Sequence, residues 1–515
     1  MLDARNAAVS SRSWKKHPYL SATLGSFVLG VGCLSSANAA TESDSSADIK
    51  HSKQKSEVEE TSRNNVASKN TSSTEQGILA HPENDEHILV TGKGMNVLNQ
   101  NLGIGRMPQD IMHTPQTVNG VPQLLMQQQN VKSLDEALKN VPGITASVGE
   151  GEGGMAGDQF LIRGFEAQND IYENGLRDFG VYTRDSFDYD YISVIKGPAS
   201  EVFGNGTTGG AINITTKVAH LGNSYSAQFS GGSANYYRGT LDLNQQIGDS
   251  TAIRITGMGN ENDTVGRNNV YSHRWGIAPS IGFGLGKDTT FTLEYFHQTD
   301  NRIPDYGVPV ITKPGTSIGR PATEYGLNRK NWYGTQYDQD ATDVDMLTAR
   351  LSSKINEHIT IFDDLRGGMY HRFFSASQPG CNSTCQTLYF TNPSEAMIDR
   401  RSHLGGPEPY QQDDWSVENL FSALIHFKTG FLKHEINTGV DIEHIYDRRK
   451  NYAYNYNGQN GTKSDLTSLV NPSSVQPDLL LGSFVQYPYD LVNLSGGTGR
   501  KLYKTGDATD VGVFF

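Results

Sequence analysis

From Tyr225 to the end of the chain, apolar and polar side chains alternate with a period of two. Leu241 and Leu243 alternate with Asp242 and Asn244, and Ile253 and Ile255 with Arg254 and Thr256. Trp275, Ile277, Ile281 and Phe283 share one side of the next run, and Phe291, Leu293 and Tyr295 one side of the run after it. Alternation of this kind marks strands with one apolar and one polar face. Further runs fall at 344–355, 359–370, 415–429, 434–446 and 509–515, for about ten strands. Short turns at 248–250, 284–288, 356–358 and 430–433 alternate with long polar segments near 298–343, 371–413 and 447–508.

The chain ahead of this is built differently. Between 107 and 144, Ser133 is a predicted helix N-cap with Glu136 at the capping-box position. Leu134, Ala137, Leu138 and Val141 then share a face through about Asn140, and Pro142 with Gly143 ends the helix. Residues 159–217 hold short strand-like runs at 160–162, 191–195 and 211–215, cut by glycine-rich turns. Tyr172, Arg177, Asp178, Tyr182, Arg184 and Asp185 cluster between them. The fold class is mainly β, a small α/β domain followed by a long antiparallel sheet.

The alternating connection lengths choose between two kinds of sheet. Outer-membrane barrels have short periplasmic turns and long external loops, with apolar side chains toward lipid and polar ones toward the lumen. A soluble sandwich also alternates, but nothing in it requires every second connection to be long. The expectation is an antiparallel transmembrane β-barrel. Composition fits it: 55 Gly, 24 Tyr and 20 Phe, with 36% hydrophobic residues, and a mean hydropathy of -0.51 that speaks against helical spans. A net charge of -13 disfavours nucleic acid as a partner.

The N-terminus predicts export. Arg5, Arg12, Lys15 and Lys16 precede an apolar stretch and then Ala37, Asn38 and Ala39, which reads as a signal peptide over 1–39. Residues 40–85 are polar and poor in large apolar side chains, as in a flexible linker. A short β-prone run follows at Glu86, His87, Ile88, Leu89, Val90, Thr91 and Gly92, either an ordinary first strand or a strand that another protein captures by edge pairing. Beyond the signal, Cys381 and Cys385 are the remaining cysteines, and a local disulfide is favoured over a metal site, with no metal bound directly. The glycine-rich segments at 149–157 and 204–210 read as turns, since no Gly-Lys-Ser/Thr follows either one.

The motifs TPQTV, SLDEALKNVPGI, FLIRGF, IYENGLRD and VIKGPASEVFGNGTTGGAINITTK together resemble the plug-domain signatures of TonB-dependent outer-membrane siderophore receptors, close to the catecholate type. The resemblance implies a TonB box at 86–92, a plug over 93–217 and a β-barrel over 222–515, located in the bacterial outer membrane. It implies TonB with ExbB-ExbD, outer-membrane lipid and a ferric siderophore as partners. Iron is then carried as the ferric siderophore, with no covalently bound cofactor. Ser193 stands where the family commonly has glutamate, which puts one plug-to-wall ion pair in doubt. Family barrels have 22 strands, so a chain of about ten is either a truncated receptor or one that a second chain completes. On this reading the alternation of Val511, Val513 and Phe515 belongs to an ordinary strand rather than to a barrel's last one.

No H-E-x-x-H, G-x-S-x-G or Cys-His pairing with catalytic spacing occurs, so an enzyme is not expected. Ferric catecholates are anionic with flat aromatic faces, and arginine with tyrosine or tryptophan suits them. By resemblance, the ligand binds between plug apices and external loops. The candidates are Gln168, Arg177, Tyr182 and Arg184 from the plug, and Arg302, Tyr306, Arg329, Trp332 and Tyr333 from the loops. Arg177 beside Asp178 and Arg184 beside Asp185 could instead form ion pairs within the plug. A non-functional truncated fragment and a passive porin remain the alternative readings.

Overall fold

The computed structural model describes residues 104, 111–147, 158–199, 203, 207–335, 338–400, 410–456, 459–460, 466–474, 479–486 and 503–514. The predicted signal, linker and TonB box lie outside the described residues, as does the 149–157 glycine segment.

The first domain is a five-stranded sheet in the order Thr117–Pro122, Tyr189–Lys196, Gly210–Thr216, Ile171–Glu173, Leu176–Arg177. Strand Tyr189–Lys196 is buried on both faces except at Asp190, which explains its nearly unbroken apolar run. Asn174 and Gly175 make the tight hairpin after Ile171–Glu173, both at positive φ, where asparagine and glycine are tolerated best. Two short helices, α1 (Gln123–Gln128) and α2 (Leu134–Leu138), cover the sheet. Ser133 Oγ accepts the Glu136 N–H at 3.4 Å, while the Glu136 carboxylate accepts the Lys132 N–H at 2.8 Å, one residue beyond the usual capping box. Leu134, Ala137, Leu138 and Val141 enter one core with Phe160, Ile162, Ile192, Val194, Ile212 and Ile214. The helix is shorter than the sequence pattern predicts, stopping at Leu138, with Gly143 at φ +79° beyond it.

Ten long antiparallel strands follow: β1 (Ser224–Gly232), β2 (Tyr236–Gly248), β3 (Thr251–Asp263), β4 (Tyr271–Phe283), β5 (Thr289–Arg302), β6 (Gln339–Lys354), β7 (Ile359–Ser375), β8 (Tyr410–Thr429), β9 (Leu432–Tyr456) and β10 (Tyr503–Phe514). Each pairs with the next in chain order, and among the described residues β1 and β10 do not meet. Leu241, Ile255, Trp275, Phe291, Leu347, Trp415, Phe421 and Val440 point outward and are exposed, while Asn244, Thr256, Ser280, Thr348, Arg366 and Ser422 point inward and are buried. An exposed apolar wall around a polar interior is the inverse of a soluble protein, and it is what a bilayer requires. Val511 and Val513 continue the outward wall opposite Ile442 and Val440.

The strands outrun their predicted ends. β8 begins at Tyr410 and not near 415, and β9 continues to Tyr456 and not near 446. The outward face of these upper ends is polar: His371 Nδ1 lies 2.5 Å from Asp413, and Arg448 donates to the same carboxylate at 2.8 Å. With both faces polar above the membrane, the alternation that signals a strand disappears. Over this end, loops at 303–338, 376–400 and 466–474 merge around one core of Ile311, Leu327, Tyr333, Cys385, Tyr389, Ile398 and Leu469. Cys381 and Cys385 are joined by a disulfide at the start of helix α3 (Ser383–Thr391), their Cα atoms 5.3 Å apart.

The first domain docks on the inner face of this sheet through charge. Asp185, fully buried, accepts from both terminal nitrogens of Arg238 at 2.9 and 2.6 Å and forms an ion pair with Arg274, whose Nε lies 3.1 Å away. Glu173 pairs with Arg366 at 2.9 Å. Arg177 gives its backbone N–H to Glu418 at 2.7 Å and its guanidinium to Glu443 at 3.4 Å. The Thr216 hydroxyl donates to Glu294 at 3.1 Å, and Lys217 lies 3.5 Å from Asp242. Ser193 is buried inside the plug sheet, where it stands opposite Asn213 of the neighbouring strand.

Two outcomes follow from this docking. Asp185→Ala takes the paired carboxylate from the buried Arg238 and leaves Arg274 with Asp300 3.9 Å away, and should destabilise the docked plug by about 3–5 kcal/mol. The urea midpoint for protease protection of the plug reads this directly, and an unshifted midpoint would refute the role given to Asp185. Burial pushes the Glu173 carboxyl up to about 7 against the opposing pull of Arg366. A carboxyl raised in the folded state adds stability that is complete below its unfolded value and lost as pH rises through about 7. Asp158 and Asp170, each raised to about 6 chiefly by burial, act in the same direction. The plug should therefore be held more firmly at pH 5 than at pH 8, and Glu173→Gln should flatten that slope. An equal slope in the variant would assign the effect elsewhere.

Candidate ligand-binding site

The loop-bearing end of the sheet encloses a cavity of about 600 Å³ between the plug and the ends of β2 to β5. Its floor is the plug around Lys132, Ser133, Glu136 and Thr183, and its wall includes Tyr236, Tyr271, Arg274, Asp300 and Arg302. Lys132 is here because the chain reverses into the α2 N-cap. Its ammonium lies 4.8 Å from the Tyr236 ring centroid and 3.8 Å from Glu136. Arg274 joins Asp185 below to Asp300, 3.9 Å away. Arg302 is held by Asp340 at 2.7 Å. Across the rim, Arg267 binds Asp305 with two nitrogens at 2.6 and 2.7 Å. Cations and tyrosines meet in one cleft of ligand size, while paired carboxylates hold the cations in place.

The structure divides the residues singled out from sequence. Arg302 lines the cavity. Arg329 is exposed on the loop beside it, its Nε 3.1 Å from where a side chain on Gly266 would begin. Tyr306 packs against Phe374, Ala376 and Tyr410. Gln168 is half-buried and accepts from Gln159 at 3.2 Å. Arg177 is committed to the wall glutamates.

Four residues have structural roles. Tyr182 is buried with its hydroxyl on Asp178 at 2.7 Å, and Arg184 is buried 2.6 Å from the same carboxylate and 3.6 Å from Asp158. Burial alone would raise Asp178, yet Arg184 and these hydrogen bonds hold it below the ordinary carboxylate range. Tyr182 and Arg184 are therefore buried and committed to Asp178 within the plug. Trp332 and Tyr333 are likewise buried under the loops. The Tyr333 hydroxyl donates to the Leu469 carbonyl at 2.8 Å, and burial pushes that phenol up to about 12. The ion pairs also cross over. Arg184 pairs with Asp178 while Asp185 reaches the wall, so neither sequence-adjacent pair forms.

Sequence reasoning missed Lys132, Tyr236, Tyr271 and Arg274 at the cavity, and Arg372, Tyr410 and Arg449 on the wall above the plug. The last three sit on strand ends that lack alternation and therefore read as loop. Period-two counting inward from the middle of β7, β8 and β9 places all three on the inner face.

Residues 110–211 match the TonB-dependent receptor plug domain. The chain is 32% identical over 355 residues to the catecholate siderophore receptor Fiu of Escherichia coli (strain K12), covering 67% of this chain and 45% of that protein. It is 32% identical over 356 residues to the probable TonB-dependent siderophore receptor PiuA of Acinetobacter baumannii, covering 67% and 44%. The chain thus spans about half the length of these curated relatives. The crystal structure of PiuA from Acinetobacter baumannii superposes with a TM-score of 0.63 at 27% identity, over 71% of this chain and 52% of that one. The open form of the ferric-catecholate import receptor Fiu from E. coli K12 gives 0.65 at 24% identity, over 81% and 68%. A plug seated on the inner face of a membrane-type antiparallel sheet, the plug-family match and these likenesses agree, and the chain belongs to the TonB-dependent receptors, β-barrel proteins of the bacterial outer membrane.

Proposed function

We propose that the chain serves in uptake of a ferric siderophore, a catecholate by preference, across the outer membrane. The observation that carries this reading is the cavity of about 600 Å³ on the loop side of a charge-docked plug, lined by Lys132, Arg274, Arg302, Tyr236 and Tyr271. A ligand with anionic oxygens on flat rings meets cations and aromatic faces there. The relatives named for catecholate siderophores support the same ligand class. Iron enters as part of the ligand and is cargo, not a resident cofactor.

On this reading no bond is made or broken in the ligand, and the protein is not an enzyme. The ligand displaces water from the cavity and presses on the plug apex. TonB, with ExbB-ExbD and the proton gradient of the inner membrane, pulls on residues 86–92, and the plug's ion pairs with the wall yield in turn. Outer-membrane lipid is the solvent for the outward wall. A passive porin fits less well, because a plug tied by buried ion pairs occupies the space a pore needs open.

The test is uptake of labelled ferric catecholate by receptor-null cells making this 515-residue chain. Uptake above background that is lost on deleting residues 86–92 is expected. Uptake that survives the deletion would overturn the TonB mechanism, and no uptake would favour a non-functional fragment. In the same cells Lys132→Ala should weaken ligand affinity about fivefold to tenfold, as loss of one charge-assisted contact does. An unchanged affinity would remove Lys132 from the site.

A further inference from the structure

The inner faces of β7, β8 and β9 carry their charges in register. One row is Arg366, Glu418 and Glu443, and the plug meets each of these through Glu173 and Arg177. Two rows lie nearer the loops. Tyr370, Asp414 and Asp447 form one, and Arg372, Gln412 and Arg449 form the next. From these upper rows the plug meets Tyr370, whose hydroxyl donates to Asp178 at 3.0 Å and whose ring lies 6.3 Å from that of Tyr182.

The top row is built around a buried tyrosine. The Arg449 guanidinium lies over the Tyr410 ring, its Cζ 3.5 Å from the centroid. Arg372 holds the same ring from its hydroxyl, donating to it at 2.7 Å, and is itself fixed by Asp340 at 2.9 Å. Tyr410 is therefore a positioning residue. It orients Arg449, which is only half-buried and whose Nε has no hydrogen-bond partner among the described residues. One row below, Asp414 and Asp447 stand opposite each other, joined by Gln412, whose amide donates to them at 2.9 and 3.3 Å. Asp414 is 6% exposed, and its carboxyl lies within hydrogen-bond reach of the Asp447 carboxyl. A void of about 10 Å³ between this carboxylate and plug residues Val181 and Tyr182 places Asp414 at the plug apex.

We infer that these two rows are a specificity surface for a ligand of mixed charge. Arg449 takes an anionic aromatic group on its open face, and Asp414 with Asp447 takes a cationic or strongly donating arm two residues below, about 7 Å along the strands. The inference rests on the receptor reading above and narrows its substrate class to catecholates that carry an amine.

The test is a pair of ferric monocatecholates, identical except that one carries a free primary amine and the other its acetylated form. Affinities are read by tryptophan-fluorescence quenching of the full chain in detergent. The wild type should prefer the free amine. Arg449→Ala should weaken both probes about tenfold or more, with Arg449→Lys intermediate because it keeps the charge and loses the flat face. Asp447→Asn, which keeps the size of the side chain, should weaken the free amine alone and abolish the preference. Equal wild-type affinities, or an Arg449→Ala variant within twofold for both probes, would overturn the inference and leave the receptor reading standing. Wild-type protein that binds neither probe would overturn both.

Discussion

A membrane strand can give only one of its faces to lipid, and the other face must answer to something. In this chain that face carries Arg238, Arg254, Arg274, Arg366 and Arg372 among Asp242, Glu294, Glu418 and Glu443, nearly all of them buried. Charges of this kind, desolvated and unmatched, cost several kcal/mol each. The plug is the answer. Asp185 pairs with two wall arginines, sharing Arg274 with Asp300, while Glu173 and Arg177 meet a third arginine and two glutamates. The two parts are stable together because each carries the counter-ions of the other. The plug is held by these polar contacts together with an apolar cluster that joins Tyr182 and Phe187 to Met258, Phe296, Val344 and Met346 of the wall, the Phe187 and Phe296 rings stacked 5.9 Å apart.

The same constraint explains where the ligand space lies. The wall's lower rows are matched by the plug, and the strands continue well beyond the apolar band, so that in the upper rows the plug apex meets Tyr370 while arginines pair within the wall and its loops. There the chain neutralises itself: Arg302 and Arg372 share Asp340, and Arg267 takes Asp305. Above, loops distant in sequence share one core, with Asn331 and Tyr333 both donating to the Leu469 carbonyl. The cavity is therefore bounded by preorganised groups on every described side, and a ligand need not order them.

What the sequence made legible follows from which signals are local. The capped helix at Ser133, the apolar run at 189–196 and the turn positions all appear where patterning placed them, because each is set by propensity or by burial of one face. The strand ends were not legible, because above the membrane both faces are polar and the period vanishes. Nor were the ion pairs. Arg184 and Asp185 are adjacent, but adjacent residues in extended backbone point to opposite sides, so one enters the plug core and the other the wall. Tyr182 and Arg184 suited a catecholate by residue type, and residue type carries no information about which side of a sheet a residue faces.

Those two residues still bear on the ligand, through the carboxylate they share. Asp178 accepts Arg184 at 2.6 Å, Tyr182 at 2.7 Å and Tyr370 at 3.0 Å, and only the last of these partners belongs to the wall. Tyr370 sits in the same row as Asp414 and Asp447, directly below the row of Arg372 and Arg449. The plug apex is thus tied to the wall at the level where a ligand would meet it, by a hydrogen bond to a buried anion whose other partners lie within the plug. A group inserted beside Asp414 competes for the space that Tyr370 and Tyr182 enclose. Removing Tyr370 from Asp178 leaves that carboxylate with fewer donors in a dry site, which is costly enough to shift the apex. On the proposed reading the coupling of ligand to plug needs no long pathway, because Tyr370 stands opposite Asp414 on the wall and also holds the plug through Asp178.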